Sequence, residues 1–322
     1  MQSVLANNRQ ARRRIHIRPN LTIMKGTIAD LKFVRYGDMV VPIIMGKERR
    51  RIINSIVPQG LNQYVSDLLT ISLNTGQAYI SGWNSVSPGN TILLINNGFT
   101  VQTLNATVIP VLNGSTVIWV FIASDLSSSS YTANQVNLFI TVNFSNSAPT
   151  YVHYSPAFLF ATATANIVKQ SGEAISFVWE IQLNLGSSAL PDFIYGILYS
   201  IPVVSSCGGE VGTFGGITGV SNSSPYNFSS IELQYVGGSS SGNISTINVT
   251  YDGTNTYLVM SASISLSSQV TVTSVVINVS GYNFCINGQT ANSGSAIQIP
   301  YSATLPSGTV TVTVTIEFSP AT

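Results

Sequence analysis

Positive charge all but vanishes after residue 51: of thirteen Lys and Arg, only Lys169 lies beyond it. Charged residues of both signs make up 8% of the chain, against about a quarter in ordinary soluble domains. Histidine is scarce too. His16 and His153 have no Cys or carboxylate at metal-ligand spacing, which removes the locally encoded zinc sites. No G-x-S-x-G sits between a strand and a helix, as a nucleophile elbow would, although a Ser-His-Asp set dispersed along the chain would leave no local mark. The nine carboxylates after Arg51 read as solvent-facing strand and loop residues. Glu173 and Glu180, seven apart, would fall on opposite faces of one strand and so cannot pair as glycosidase acids. The glycine-rich run Gly208–Gly216 lacks the lysine and the following helix of a phosphate loop. The expectation is a protein that is not an enzyme and uses no cofactor or metal.

Long apolar runs are missing as well. The best membrane-span candidate, Ala106–Ser124, is broken by Pro110, Asn113 and Gly114, and its Val, Ile and Thr content reads as two strands and a turn. The start, Met1–Arg14, is polar and ends in three arginines, unlike a secretory leader, which predicts synthesis in the cytoplasm.

The charge that is present is segregated. The first 51 residues hold twelve basic and three acidic side chains; the rest hold one and nine. Two ends so different face different surroundings. The basic set, Arg9, Arg12, Arg13, Arg14, Arg18, Lys25, Arg49, Arg50 and Arg51, predicts contact with something anionic: nucleic acid, acidic lipid head groups, or a neighbouring subunit. Arginine forks suit phosphate oxygens. No aromatic residue interleaves the first cluster, so contact with nucleic acid would be sequence-independent and salt-dependent. The competing reading is a solvated tail that keeps the protein soluble.

Residues 1–29 read as a basic N-terminal arm in which Asn7-Asn8, Pro19-Asn20 and Gly26 break any regular helix; Ile15 and Ile17 alternate with His16 and Arg18, so part of it could add as an edge strand to another subunit. From Leu31 the pattern is β. Candidate strands run from Phe33–Tyr36 to Ala174–Leu183, and include Arg51–Val57, Leu68–Leu73, Ala78–Trp83 and Thr100–Ile109; a short helix around Leu61, Tyr64, Val65 and Leu68 competes with them. Ala174–Leu183 reads as half-buried, with Ile175, Phe177, Trp179, Ile181 and Leu183 on one face. Gly186–Pro191 reads as a linker. A second β region follows, including Ile194–Val204 and the strictly alternating Thr309–Phe318. Val270 and Val272 are out of phase with Val275, Ile277 and Val279, which predicts a bulge near Ser274. The predicted fold class is all-β: arm 1–29, a jelly-roll β-sandwich over 30–185, then a smaller immunoglobulin-like sandwich over 186–322.

Cys207 and Cys285 are either two buried thiols or one disulfide of the second region. Of nine N-x-[ST] sequons, five fall there, at Asn222, Asn227, Asn243, Asn248 and Asn278, which suggests an exposed, glycosylated part.

The arm Arg9–Lys25, the strand series Phe33–Leu183 and the Ser/Thr/Asn-rich region after Gly186 together resemble, as architecture, the penton-base or turret proteins at the vertices of turreted icosahedral archaeal viruses. The resemblance implies a jelly roll in a shell and an outward β-sandwich. It implies a capsid component of the virion, assembled in the host cytoplasm, with copies of itself and other capsid proteins as partners. The arm would face packaged nucleic acid or an acidic internal membrane, and the C-terminal region would face the host cell surface. The alternatives are an extracellular filament or adhesin subunit that assembles by strand addition and, more remotely, a carbohydrate-active β enzyme.

Overall fold

The computed structural model describes residues 9–36, 39–73, 90–140, 143–146, 151–154, 157–187, 189, 197, 205–207, 210–212, 227–280, 284–286, 289–291 and 294–321. The elements up to the first long connection are β1 (Arg9–Gly26), β2 (Leu31–Tyr36), β3 (Met39–Ile44), β4 (Glu48–Ile52), β5 (Asn54–Ile56) and α1 (Pro58–Leu73). Then come β6 (Thr91–Asn96), β7 (Phe99–Asn105), β8 (Thr107–Asn113), β9 (Thr116–Asp125), β10 (Tyr131–Ile140), β11 (Asn143–Asn146), β12 (Tyr151–Tyr154), β13 (Phe158–Lys169) and β14 (Ala174–Asn184). The remainder comprises β15 (Ser205–Cys207), β16 (Glu210–Gly212), β17 (Asn227–Tyr235), β18 (Gly238–Tyr251), β19 (Thr256–Leu266), β20 (Val270–Ser280), β21 (Phe284–Ile286), β22 (Gln289–Ala291), β23 (Gly294–Leu305) and β24 (Gly308–Pro320). The expected strand Ala78–Trp83, and Ile194–Val204 apart from Ile197, lie outside the described residues.

The protein is nearly all β, with sandwich-like curled sheets. Eleven strands form one sheet in the order β23-β20-β17-β18-β19-β24-β1-β14-β9-β8, with β4 also on β1. A five-stranded sheet, β5-β13-β10-β6-β7, packs against its N-terminal half. One core of buried side chains runs from Ile15 and Leu21 through Trp119 and Phe177 to Met260 and Val314. A second, smaller cluster lies on the opposite face, where the β2–β3 ribbon covers Met24, Val120, Ile122 and Val178.

Residues 9–26, expected as a separate arm, are the longest strand among the described residues and lie in the middle of the large sheet. His16–Gly26 pairs antiparallel with β14. On the other side Arg9–Ile17 pairs in parallel with β24, and Leu21–Lys25 pairs antiparallel with β4. Physical chemistry favours this over a free arm. Ile15, Ile17, Leu21 and Ile23 are buried, and each such side chain contributes about 1.5–3 kcal/mol, together comparable with the roughly 5–15 kcal/mol that holds a whole domain.

Pro19, a residue that central strands ordinarily exclude, is accommodated by a gap. Ile17 accepts the Ala321 N–H (2.7 Å) on the β24 side, so residue 19 turns its backbone to that same side. There β24 has ended and β4 has not begun, so the missing N–H costs no ladder bond.

The strand sets before and after Gly186 are joined through β1 and β24 without a break in the sheet. The β24 strand of the second set thus completes the first.

Other differences are local. Leu68–Leu73 belongs to α1, not to a strand: Leu61, Tyr64 and Val65 are spaced for one helical face and all are buried. Pro58 opens the helix, where its fixed φ is an advantage. A Cβ on Gly60 would meet the Leu159 carbonyl at 2.0 Å, so only glycine permits this approach of helix to sheet. Tyr64 then stands edge-on to Trp119 and Phe160, at 5.3 and 6.0 Å between ring centroids. Thr100–Ile109 is two strands, β7 and β8, interrupted at Ala106, whose N–H goes to Asn90; Arg51–Val57 likewise divides between β4 and β5. β14 is buried on both faces over its first half, because the ribbon covers it: Ser176 accepts the Ile44 N–H at 2.8 Å and lies 2.6 Å from the Ser124 hydroxyl. The bulge expected near Ser274 is present. Thr273 is skipped in the pairing of β20 with β17, which puts Val272, Val275 and Ile277 all in the core.

Removing residues 1–26 abolishes cooperative unfolding, because β1 is an internal strand of the large sheet. Leu21→Ala costs about 2–5 kcal/mol in chemical denaturation, the range for a large side chain removed from a packed core.

Candidate functional site

A strand sorts its side chains by parity. The odd residues of β1 face the core. The even ones, Arg12, Arg14, His16 and Arg18, face away from it and are exposed. Cross-strand partners share a face. Arg51 lies opposite Thr22 and Arg49 opposite Met24, so both join the even face. Arg12, Arg14, Arg18, Arg51 and Arg49 therefore form one cationic row. From residue 12 to residue 24 at about 3.4 Å per residue, it is about 40 Å long.

The other predicted cations are not part of it. Arg13 points to the core side and donates to the Leu185 carbonyl (2.9 Å). It is packed against Gly186, whose φ of +66° suits glycine and where a Cβ would meet the guanidinium at 1.6 Å. Lys25 pairs with Glu173 at 2.8 Å and donates to the Val168 carbonyl at 2.8 Å. Arg50, opposite Ile23, turns to Glu48 and to the Asn166 carbonyl. Lys25, Glu48, Arg50 and Asn166 rim a cleft of about 120 Å³ between β4 and β13, and these ion pairs already occupy the charges there. For Arg9 the backbone lies in β1, but its side chain is outside the described residues.

The upper end of the row is built around a carboxylate. Glu317, expected to face solvent, is 1% exposed. Parallel pairing sets it beside Arg14. Arg12 Nη2 and Arg14 Nε reach its two oxygens at 2.6 and 2.7 Å, and Ser319 donates to it at 2.7 Å. Burial pushes the Glu317 carboxyl up, but the Ser319 and Arg14 hydrogen bonds and the two guanidinium charges outweigh it. Its pKa lies below the ordinary carboxylate value. The Arg12 guanidinium also stands 5.5 Å from the Tyr257 ring centroid. The Tyr257 hydroxyl donates to Asp252, whose carboxyl is held well below its usual range by that bond and by the backbone N–H groups of Asn255 and Thr254.

The lower end is less neutralised. Arg51 donates to Asn20 (2.7 Å), and Asn20 donates to the half-buried Glu180 (3.0 Å). Arg18 and Arg49 present exposed guanidiniums. The row thus has a clamped end at Glu317 and an available end at Arg18, Arg49 and Arg51.

Lys169, the lone cation of the later chain, lies elsewhere and is 1% exposed. It donates to the Ser127 and Ser129 carbonyls at 2.5 and 2.7 Å, and Asp125 is 3.9 Å away. Asp125, also expected in solvent, is buried and accepts from Ser127 and Gln102. This group fastens the 125–130 loop to the end of β13.

Asn243 and Asn248 are exposed on β18. Asn278 is not presented as an acceptor, because its amide donates to Ser230 and Glu232 and accepts from Ser295. Asn222 lies outside the described residues, as do the side chains of Asn227, His153, Cys207 and Cys285; the two cysteines belong to the ribbons β15–β16 and β21–β22. Among the described residues no three His, Cys, Asp or Glu gather as metal ligands, and no helix is long and apolar enough to cross a membrane.

Glu317 gains stability from ionisation, since its pKa is lowered on folding. That contribution is complete above the ordinary value of about 4.3 and is lost as pH falls through the lower folded value. The stability gap between the native chain and Glu317→Gln is therefore widest at neutral pH and closes below about pH 4.3. Lys169→Met, which removes the counter-charge of the buried Asp125 and the donor to the Ser127 and Ser129 carbonyls, costs about 3–5 kcal/mol. Arg18→Met on the exposed row stays within about 0.5 kcal/mol. Comparisons with family models, with curated proteins and with solved structures returned no match.

Proposed function

We propose that the chain is a structural subunit of a virus shell, at or near a vertex, whose cationic sheet face turns toward an anionic interior. The observation that supports this most is the row Arg12, Arg14, Arg18, Arg51 and Arg49 on one face of a rigid sheet. Twelve of thirteen basic residues precede residue 52, and the strands that follow present Ser, Thr and Asn outward. A shell subunit meets two different surroundings at once, and this division of charge suits that demand.

The filament or adhesin alternative requires an edge that accepts a strand. The terminal strands of the large sheet, β8 and β23, carry Pro110 and Pro300. Proline on an edge blunts strand addition. The edge strand β7 carries neither proline nor charge and is the position at which that alternative would operate.

Electron microscopy of the purified protein at assembly concentrations tests the reading. Closed shells or rings of fixed rotational symmetry are the expected result. Helical filaments that dissolve when Thr103 on β7 is replaced by Pro would transfer the assignment to strand addition. A protein that stays monomeric at every concentration would overturn both.

A further inference from the structure

The β2–β3 ribbon is stacked on the same face of the sheet that bears the arginine row. Val34, Tyr36, Val41 and Ile43 pack inward against Met24, Val120, Ile122 and Val178. The alternate ribbon residues point away from the sheet. Two of their three cross-strand pairs, Phe33 with Pro42 and Arg35 with Val40, lie on the open part of the ribbon; the third, Leu31 with Ile44, has Ile44 buried. Phe33 is 72% and Val40 58% exposed. The ribbon thus holds an aromatic ring and a branched aliphatic side chain in water, directly beside the available end of a cationic row.

This conclusion rests on the reading that the row faces an anionic interior: we propose that the partner is the surface of an anionic lipid bilayer. The ribbon enters the boundary between head groups and acyl chains, and Arg18, Arg49 and Arg51 hold lipid phosphates beside it. Three features select lipid over nucleic acid. Stacked β layers are about 10 Å apart, so the outer side of the ribbon stands about that far above the sheet. Elements that lie in a membrane interface bury about 5–10 Å, which is the depth the step supplies. Long arginine side chains rise from the sheet with their stems against apolar surface and their heads among phosphates. Phe33 and Val40 would also stay in water against a duplex. Charge attracts the protein to the surface, and the ribbon then supplies the salt-resistant part of the binding.

Flotation of the full chain with phosphatidylglycerol or phosphatidylcholine vesicles is the test, run beside retention of single- and double-stranded DNA. Binding to phosphatidylglycerol and not to phosphatidylcholine is expected. Arg18→Gln with Arg49→Gln weakens it about 25-fold, at about fivefold for each basic residue near an anionic surface. Phe33→Ser with Val40→Ser removes the binding that survives high salt and leaves the melting curve unchanged, since both side chains point outward. In Phe33→Trp the added indole emission shifts to the blue with phosphatidylglycerol vesicles and is quenched by brominated acyl chains. An unmoved Phe33→Trp emission, or vesicle binding indifferent to Phe33→Ser with Val40→Ser, overturns the proposal. DNA retention that depends on Arg18 and Arg49, with no vesicle binding, overturns the lipid assignment while keeping the anionic-face reading. Binding to neither overturns both.

Discussion

The pairing of β1 between β14 and β24 is the constraint on which the rest depends. The strand set after Gly186 does not form a sheet of its own beside the first; its last strand, β24, lies in parallel against the first described strand of the chain. The two ends of the chain are therefore zipped together at the centre of the large sheet. Long-range parallel pairing is slow to form, so the joint closes only after β24 has been made. Once closed, it rests on side chains of both sets: Ile15, Ile17 and Leu21 from β1, Trp179 and Leu183 from β14, and Val314 and Ile316 from β24.

The same pairing sorts the charge. A flexible arm would present all its arginines to whatever it met. A strand separates them by parity. Arg13 turns to the Leu185 carbonyl, while Arg12 and Arg14 turn out to hold Glu317. A buried carboxylate left alone would be costly; with two guanidiniums and a serine hydroxyl it becomes a fixed anchor for the start of β1. The clamp leaves the lower end, around Arg18, Arg49 and Arg51, as the exposed cationic part, next to a ribbon that exposes Phe33 and Val40.

The all-β class, most strands, the helix around Leu61–Leu68 and the bulge near Ser274 were legible in the sequence, because each leaves a local period or a local phase error. The segregation of charge was legible for the same reason. The fate of residues 9–26 was not. Their Ile15-His16-Ile17-Arg18 alternation is a strand signal, yet Pro19 and three consecutive arginines argue against a central strand. Only the gap between the end of β24 and the start of β4 makes Pro19 harmless, and only Glu317, some three hundred residues later, explains Arg12 and Arg14. Glu317 and Asp125 looked like ordinary solvent-facing carboxylates because their partners are distant in sequence and meet them only through sheet pairing.

The measurement that bears most directly on β1 as an internal strand is native-state amide hydrogen exchange. Ile15, Ile17 and Ile23 turn their amides toward β24 or β4 and should exchange only through global unfolding, with the same free energy as core amides of β14 and β24. Exchange of those three amides at the rate of a solvated tail, while β14 and β24 stay protected, would contradict the account.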